Sequence, residues 1–162
     1  MSLDIFLKID KIDGESTDEK HAKSIEVLAW SWGASNGGGF HSGAGGATAG
    51  RVSIQDISLT KYTDASTAAL FQHVCNGAHI KSALLTVRKA TGDGRLGDFL
   101  KYTFTDVILS SYSSGTSTGE DRPTENLSFA FGKVAMEYFK QDSKTGALTV
   151  AGQASWDLIK NA

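Results

Sequence analysis

Apolar and polar residues alternate along most of the chain, and a repeat of two residues is the pattern of a half-buried β-strand. Two steps in this alternation, at Gln55-Asp56 and at Gly132-Lys133, predict a β-bulge or a sharp bend. The pattern predicts about seven or eight strands, which include residues 5–9, 24–32, 51–62, 82–89, 99–111, 123–139 and 147–159.

One segment has the spacing of a helix instead. Leu70, Phe71 and Val74 lie three and four residues apart, and Gly77 follows as a stop. The Thr63-Asp64 dipeptide supplies the expected N-cap. The sequence therefore predicts a single helix at about 64–76, with strands on both sides of it.

The second predicted strand has two unlike faces. Leu28, Trp30 and Trp32 lie on one side and are large enough to require burial, whereas Ala29 and Ser31 lie on the other side and are small. The small side suits an open channel or a close neighbour. We therefore expect this strand to pack by its large residues and to present its small residues at a surface.

A glycine-rich arm follows this strand at about 33–50. Phe40 is its one packing residue, and the arm also contains Gly38, His41 and Gly45. Glycine permits close backbone approach and positive φ. We expect the arm to contact a neighbouring molecule, and a loop without a partner is the alternative.

Composition narrows the class of protein. The formal charge is −2, so neither a nucleic-acid partner nor an anionic membrane is expected. No apolar run approaches the ~20 residues that span a bilayer, and the start of the chain is not a secretory signal. The single cysteine, Cys75, is expected to be a small buried hydrophobe. Length and pattern predict one domain over 1–162, all-β with one helix, as a two-sheet sandwich or small barrel.

Short motifs that imitate active sites lack the required context. Ser35 and Ser117 each lie in a G-x-S-x-G pattern, but neither leads into a helix, as a nucleophile elbow must. The pattern Gly92-x-Gly94-x-x-Gly97 precedes a strand, whereas a dinucleotide site needs a helix N-terminus there. The sequence therefore predicts no catalytic residue and no cofactor, and a small serine hydrolase is the weakest alternative.

Polar clusters do not indicate a metal site. His73 and Cys75 point in different directions on the predicted helix, and one cysteine with scattered histidines is not a zinc ligand set. Glu120, Asp121 and Glu125 are expected to form a solvated or salt-bridged loop. A glycosidase carboxylate pair is the alternative for these three residues.

Several short segments, spread in order over nearly the whole chain, form a more specific set than any motif above. They are Asp4-x-Phe6-x-Lys8-Ile9, Gly14-Glu15-Ser16, Leu28-Ala29-Trp30-Ser31-Trp32-Gly33, Gln55-Asp56, Thr60-Lys61-Tyr62, Ser66-Thr67, Arg88-Lys89-Ala90 and Gly119-Glu120-Asp121-Arg122-Pro123-Thr124-Glu125-Asn126. In this combination they resemble the hemolysin-coregulated protein (Hcp) family of the bacterial type VI secretion system.

The resemblance implies a two-sheet β-barrel like that of a phage tail tube, assembled into homo-hexameric rings that stack into a hollow tube. It implies a sheath and a spike as partners and small effector proteins as cargo. Such a subunit is a structural protein, held in the bacterial cytoplasm and then secreted without a signal peptide. Under the resemblance, Ala29 and Ser31 are candidates for the lumen, and Gly38, Phe40, His41 and Gly45 for contact between rings. A soluble effector-binding chaperone that does not polymerise is the alternative.

Overall fold

The structure, a computed structural model, describes residues 3–40, 47–48, 50–90 and 96–162. Within these ranges the chain forms strands and one helix. In chain order they are β1 Asp4–Ile9, β2 Ile25–Val27, β3 Ala29–Ser31, β4 Ala34–Asn36, β5 Gly39–Phe40, β6 Ala47–Thr48, β7 Val52–Ile54, β8 Ile57–Tyr62, α1 Thr67–Asn76, β9 His79–Ala90, β10 Leu96–Gly115, β11 Thr124–Gln141 and β12 Leu148–Asp157.

Eight of the strands form one antiparallel sheet in the order β2-β1-β9-β10-β11-β8-β3. The eighth strand, β12, pairs with residues 133–141 of β11, and β8 pairs with residues 124–129 on the same side. Two short ribbons, β4–β7 and β5–β6, form separate pairs. The all-β prediction with one helix is confirmed, but the sheet is not closed into a barrel. The end strand β2 pairs with β1, and the end strand β3 pairs with β8, but β2 and β3 do not pair with each other.

The long strands bend where their pattern of burial changes phase. In β10 the buried positions pass from Phe104 to Val107, and Asp106 between them has φ 57°. Positive φ at a residue other than glycine marks a sharp local departure from strand geometry. The paired strands make the same step, from Ile80 to Ala83 in β9 and from Phe131 to Val134 in β11.

The bend brings two halves of the sheet together around one core. Trp32, which follows β3, contacts Tyr102 of β10 with ring centroids 5.4 Å apart, and Trp30 of β3 contacts the same ring at 5.1 Å. Phe104, which is fully buried, contacts Phe129 and other rings across the junction. Aromatic packing between the halves therefore forms much of the core.

Both predicted breaks in alternation correspond to real irregularities. Gln55-Asp56 separates β7 from β8, so the third predicted strand is two strands in different sheets. Gly132-Lys133 lies at the bend beside Asp106, although the register of β10 with β11 does not shift there. The shift in that ladder falls between Leu109 and Ser111 instead.

The helix α1 is shorter at its start than the predicted 64–76. The predicted N-cap at Thr63 or Asp64 was wrong, because Ser66 is the N-cap. The Asp64 carboxylate accepts a hydrogen bond from the Ser66 amide at 2.9 Å, which orders the preceding turn. Gly77 ends the helix with φ 64°, as predicted, and its N–H donates to the His73 carbonyl at 3.0 Å. Leu70 is the buried residue of α1. Among the described residues, no helix has the length and apolar character needed to cross a membrane.

Two expectations about burial were wrong. Leu28 is 47% exposed, because the chain passes at this residue from pairing with β1 to pairing with β8, which changes the phase of alternation. Cys75 is exposed, because it lies away from the face of α1 that carries Leu70. Trp30 and Trp32 are half-buried and pack against the core.

Candidate assembly surfaces

Two rows of small side chains cross four strands on one outer face of the sheet. The strands are β3, β8, β11 and the second part of β10, and neighbours in each row are direct cross-strand partners. Thr60 and Ser128 are half-buried, and the other six residues are exposed. We call this set the small polar face: Ser31, Ser58, Ser128 and Ser111 in one row, and Ala29, Thr60, Asn126 and Ser113 in the other.

Hydrogen bonds connect neighbouring strands across the small polar face. The hydroxyls of Ser58 and Ser128 lie 3.1 Å apart, and the Thr60 hydroxyl donates to Asn126 Oδ1 at 2.9 Å. Cross-strand pairs of this kind each contribute about 0.2–1 kcal/mol to a sheet. The face is therefore a smooth, uncharged surface on which polar groups partly satisfy one another.

Packing on the opposite side of the same strands fixes this orientation. Trp30 lies between Ala29 and Ser31 in β3 and turns its ring toward the core. Leu59 and Leu127, its neighbours across β8 and β11, are also buried. The structure thus places Ala29 and Ser31 on an exposed face, as the sequence predicts, and their role in a lumen stays a prediction.

Two lateral edges border the small polar face. Among the described residues, β3 pairs with β8 alone, and residues 111–115 of β10 pair with β11 alone. A strand edge that no neighbour covers offers backbone groups to another chain. The strand β12 forms a third edge, which lies in the other half of the sheet.

The glycine-rich arm is held at its base by one side chain. Asn36 Oδ1 accepts hydrogen bonds from the amides of Gly38 at 2.8 Å and Gly50 at 2.9 Å, and Asn36 Nδ2 donates to the Gly50 carbonyl at 2.8 Å. A Cβ at Gly50 would lie 2.7 Å from backbone atoms of residues 37 and 38, so these two segments approach too closely for a side chain there.

The structure describes two of the four arm residues that were predicted to form the contact between rings, Gly38 and Phe40. Gly38 follows β4, and the backbone of Phe40 pairs with Ala47 between β5 and β6. His41 and Gly45 lie outside the described residues. Contact between rings through these four residues therefore stays a prediction.

A buried ion pair lies between the sheet and the helix. Lys61 of β8 and Glu125 of β11 are direct cross-strand partners, both are fully buried, and Lys61 Nζ contacts Glu125 Oε1. Lys61 Nζ also lies 3.1 Å from Asp64 Oδ1. Glu125 accepts hydrogen bonds from the hydroxyls of Thr67 at 2.9 Å and Tyr112 at 2.8 Å.

This network ties the first turn of α1 to two strands. Burial, and then the hydrogen bond to Glu125, raise the pKa of Tyr112, so its hydroxyl keeps its proton and donates. Charges are retained in a protein interior when they are paired and hydrogen-bonded. We therefore assign Lys61 and Glu125 a structural role beneath the small polar face.

The expectation that Glu125 belongs to a solvated or salt-bridged loop was wrong about the loop, although Glu125 does form a salt bridge. Glu120 and Asp121 are exposed, as expected, but Glu125 lies inside β11. A signal for its burial was present, because Glu125 is in phase with Leu127 and the other inward residues of its strand. The three carboxylates are thus not brought together as a catalytic pair.

A second cluster of charge surrounds Arg88 of β9. Its guanidinium binds Asp4 at 3.0 Å and Asp18 at 2.7 Å and lies over the Phe6 ring, with Cζ 4.8 Å from the centroid. Burial opposes the charge on Arg88, but the bonds to Asp18 and Asp4 outweigh burial and raise its pKa. The bond from Arg88 also lowers the pKa of Asp18. The cluster joins the loop that contains Asp18 to the sheet.

Neither G-x-S-x-G pattern leads into a helix in the structure, and Gly92 and Gly94 of the third pattern lie outside the described residues. Ser35 lies exposed in β4, and Ser117 lies exposed in the turn between β10 and β11. In the described ranges, no group of three or more His, Cys, Asp and Glu residues is arranged to hold a metal ion. The features that the described residues do define are the small polar face and the strand edges beside it.

Comparisons with known proteins agree with this architecture. A family model described as "Type VI secretion system effector, Hcp" matches residues 6–138. Protein hcp1 of Pseudomonas aeruginosa strain PAO1 is 47% identical over 161 residues, which is 99% of this chain and 98% of that protein. A solved structure of a type six secretion system protein has a TM-score of 0.91 at 37% identity and covers 99% of both chains. Hcp1 from Salmonella typhimurium has a TM-score of 0.76 at 34% identity, covering 100% of this chain and 99% of that one. The chain is therefore a member of the Hcp family of the type VI secretion system.

Proposed function

We propose that this protein is the structural subunit of a type VI secretion inner tube, in which six copies form a ring and the rings stack. The observation that carries the proposal is the small polar face. It presents two continuous rows of short uncharged side chains across four strands. Such a face, with aromatic packing behind it, suits the inner wall of a hollow ring. A catalytic role forms no part of the proposal.

The ring closes through edges that border this same face. A heterologous contact between β3 of one copy and residues 111–115 of the next continues both rows from subunit to subunit. Repeated contacts of this type close into a ring when the rotation per subunit divides a full turn. Both edges are available among the described residues. The pairing also removes two exposed strand edges at once.

The tube carries and protects small effector proteins. The wall has no charge in its two rows, so cargo is held by hydrogen bonds to hydroxyl and amide groups and by shape. A contractile sheath surrounds the tube, a spike lies ahead of it, and contraction expels both. The subunit thus begins in the bacterial cytoplasm and ends outside the cell or in a target cell.

Deletion of residues 37–46 is expected to leave single rings and to impair their stacking. The deletion removes the arm beyond Asn36, whereas the edges at β3 and residues 111–115 are unchanged. Negative-stain electron microscopy of the purified protein is the measurement, and the parent should show rings of uniform diameter and short tubes. Tubes of normal length from the deletion variant would contradict the role of the arm. Monomers from the parent, in solution and in secreting cells, would contradict the tube itself.

Ser31→Gln is expected to leave ring formation unchanged and to weaken cargo retention roughly fivefold, which corresponds to about 1 kcal/mol. A longer side chain at Ser31 narrows the lumen in every subunit and interrupts the row that continues to Ser58. Co-purification of an effector with the rings measures retention. Ser143→Gln, at an exposed turn away from this face, is the matched control. Equal retention by both variants would show that Ser31 does not face cargo.

A soluble effector-binding chaperone is the alternative function. It would use the small polar face as a binding surface without polymerisation. Monodisperse monomers that bind cargo would favour this alternative, and rings of uniform diameter would oppose it.

A further inference from the structure

The helix α1 has apolar side chains on two sides, and the sheet of its own subunit covers one of them. Leu70 is fully buried against the sheet. Ala68, Phe71 and Cys75 are exposed, and their spacing of three and four residues places them on one stripe of the helix, with Gln72 beside them. We call this stripe the outer face of α1. A helix that is apolar on a second side suits a second contact.

The outer face of α1 lies beside a free edge of the sheet. The ring of Phe71 lies 5.8 Å from that of Tyr112, which belongs to the segment of β10 that pairs with β11 alone among the described residues. One turn earlier in the helix, the Thr67 hydroxyl donates to Glu125, whose backbone pairs with Ser114 of the same segment. The helix therefore follows this edge, on the side of the sheet opposite the small polar face.

The free edge at β3 also carries partly exposed apolar side chains. Trp30 is half-buried against Tyr102, with ring centroids 5.1 Å apart. Leu28 comes directly before β3 and is 47% exposed, and its N–H donates to the Thr60 carbonyl at 2.7 Å. The backbone of Leu28 is therefore held in line with this edge, while much of its side chain stays in water.

The register of the proposed ring brings these two apolar surfaces together. A pairing that continues both rows of the small polar face puts Trp30 of one copy opposite Tyr112 of the next copy, because each alternates with members of the rows. Leu28 is then the diagonal neighbour of the same tyrosine, at about 7–8 Å, which is within reach of an aromatic side chain. Phe71, which packs on that tyrosine, is thereby carried to the boundary between the copies.

We propose that the outer face of α1 packs against Leu28 and Trp30 of the neighbouring copy, with Phe71 at the centre of the contact. This inference rests on the proposed ring and names an apolar contact behind its edge pairing. The occupant is a second copy of this chain, because the two apolar surfaces border the two different edges that the ring joins. Each subunit thus supplies both halves of a heterologous contact. Aromatic side chains in the centre of an interface carry much of its binding energy.

Charged substitutions on the two sides test this contact without any other protein. We expect Leu28→Lys and Phe71→Glu each to raise the protein concentration for half-assembly roughly tenfold or more, because each places an unpaired charge in an apolar contact. Mass photometry over a dilution series measures this concentration.

An equimolar mixture of the two variants is the sharper measurement. In an alternating ring of six copies, half of the contacts join the introduced lysine to the introduced glutamate, and the other half retain the parent pair of Leu28 and Phe71. No contact then buries a charge without a partner. Mixing is therefore expected to return the concentration for half-assembly to within roughly threefold of the parent's value.

Ile159→Lys and Ile159→Glu are the matched controls. They make the same changes of charge at an aliphatic residue that is 76% exposed in the turn after β12, and both should form rings like the parent. Circular dichroism melting below the assembly concentration shows whether each variant folds as a single subunit. The uncharged variants Leu28→Gln and Phe71→Gln replace one that does not fold, and each should still raise the concentration roughly threefold.

Two outcomes overturn the proposal. The first is ring assembly at the parent's concentration by either variant, which would leave the outer face of α1 for a different protein. The second is impairment of both variants without recovery in the mixture. Absence of rings from the parent itself would contradict the proposed function, and not this contact alone.

Discussion

We expect Lys61→Met to lower the free energy of unfolding by about 3–5 kcal/mol, one of the two largest single effects in this chain. The substitution leaves Glu125 fully buried with its hydrogen bonds from Thr67 and Tyr112 but without a cation. A buried charge without its partner is far more costly than the pair is favourable. Denaturant unfolding at a fixed protein concentration measures the change, because oligomerisation contributes to apparent stability.

Two controls separate burial from the mere loss of a lysine. The double variant Lys61→Met/Glu125→Leu removes both charges, and it should regain at least about 2 kcal/mol of the loss. Lys8→Met breaks an exposed pair with Asp13, in which the atoms are 3.0 Å apart, and its loss should be much smaller because water screens an exposed pair. Equal losses from Lys61→Met and Lys8→Met would show that the interior pair has no special role.

We expect Phe104→Ala to cost about 3–5 kcal/mol, because it opens a cavity at the junction of the two halves of the sheet. Phe104 is fully buried, and its ring lies 4.7 Å from that of Phe131 and 5.2 Å from that of Phe129. For a chain of this size the loss corresponds to roughly 6–20 °C in the melting temperature. Calorimetry of the variant and the parent at one concentration provides the measurement.

Phe71→Ala is the matched control for this core substitution. Phe71 lies on the outer side of α1, is 55% exposed and contacts the Tyr112 ring at 5.8 Å between centroids. The same atoms are removed, but most of them are already in water, so a loss of about 1 kcal/mol or less is expected. If both phenylalanines gave similar losses, the junction would not be the centre of the core.

Local pattern was enough to predict which side of β3 is small and exposed. Ala29 and Ser31 alternate with bulky tryptophans, and a period of two determines opposite faces without knowledge of any partner strand. The stop of α1 at Gly77 was predictable for a similar reason, since glycine adopts positive φ at a helix end. Both features depend on residues that are close together in the chain.

Features that depend on register were not predictable in the same way. The partner of Glu125 is Lys61, which lies 64 positions earlier, and the phase of β11 indicates that Glu125 faces inward but not which cation it meets. The small polar face likewise became apparent only when β3, β8, β11 and β10 were aligned. Leu28 was misassigned because two different partner strands, and not its own neighbours, determine the phase on either side of it.

The passage of the chain through Leu28 has a further consequence for the subunit. One continuous backbone, residues 25–31, is bonded to β1 on one side of Leu28 and to β8 on the other. The Leu28 N–H adds a bond to the Thr60 carbonyl at 2.7 Å. Separation of β2 from β1 therefore pulls on the pairing of β3 with β8. The two ends of the sheet are thus expected to open together as one cooperative unit. We therefore expect amide exchange at β2 and at β3 to slow or quicken together, since neither strand can leave the sheet without moving the other.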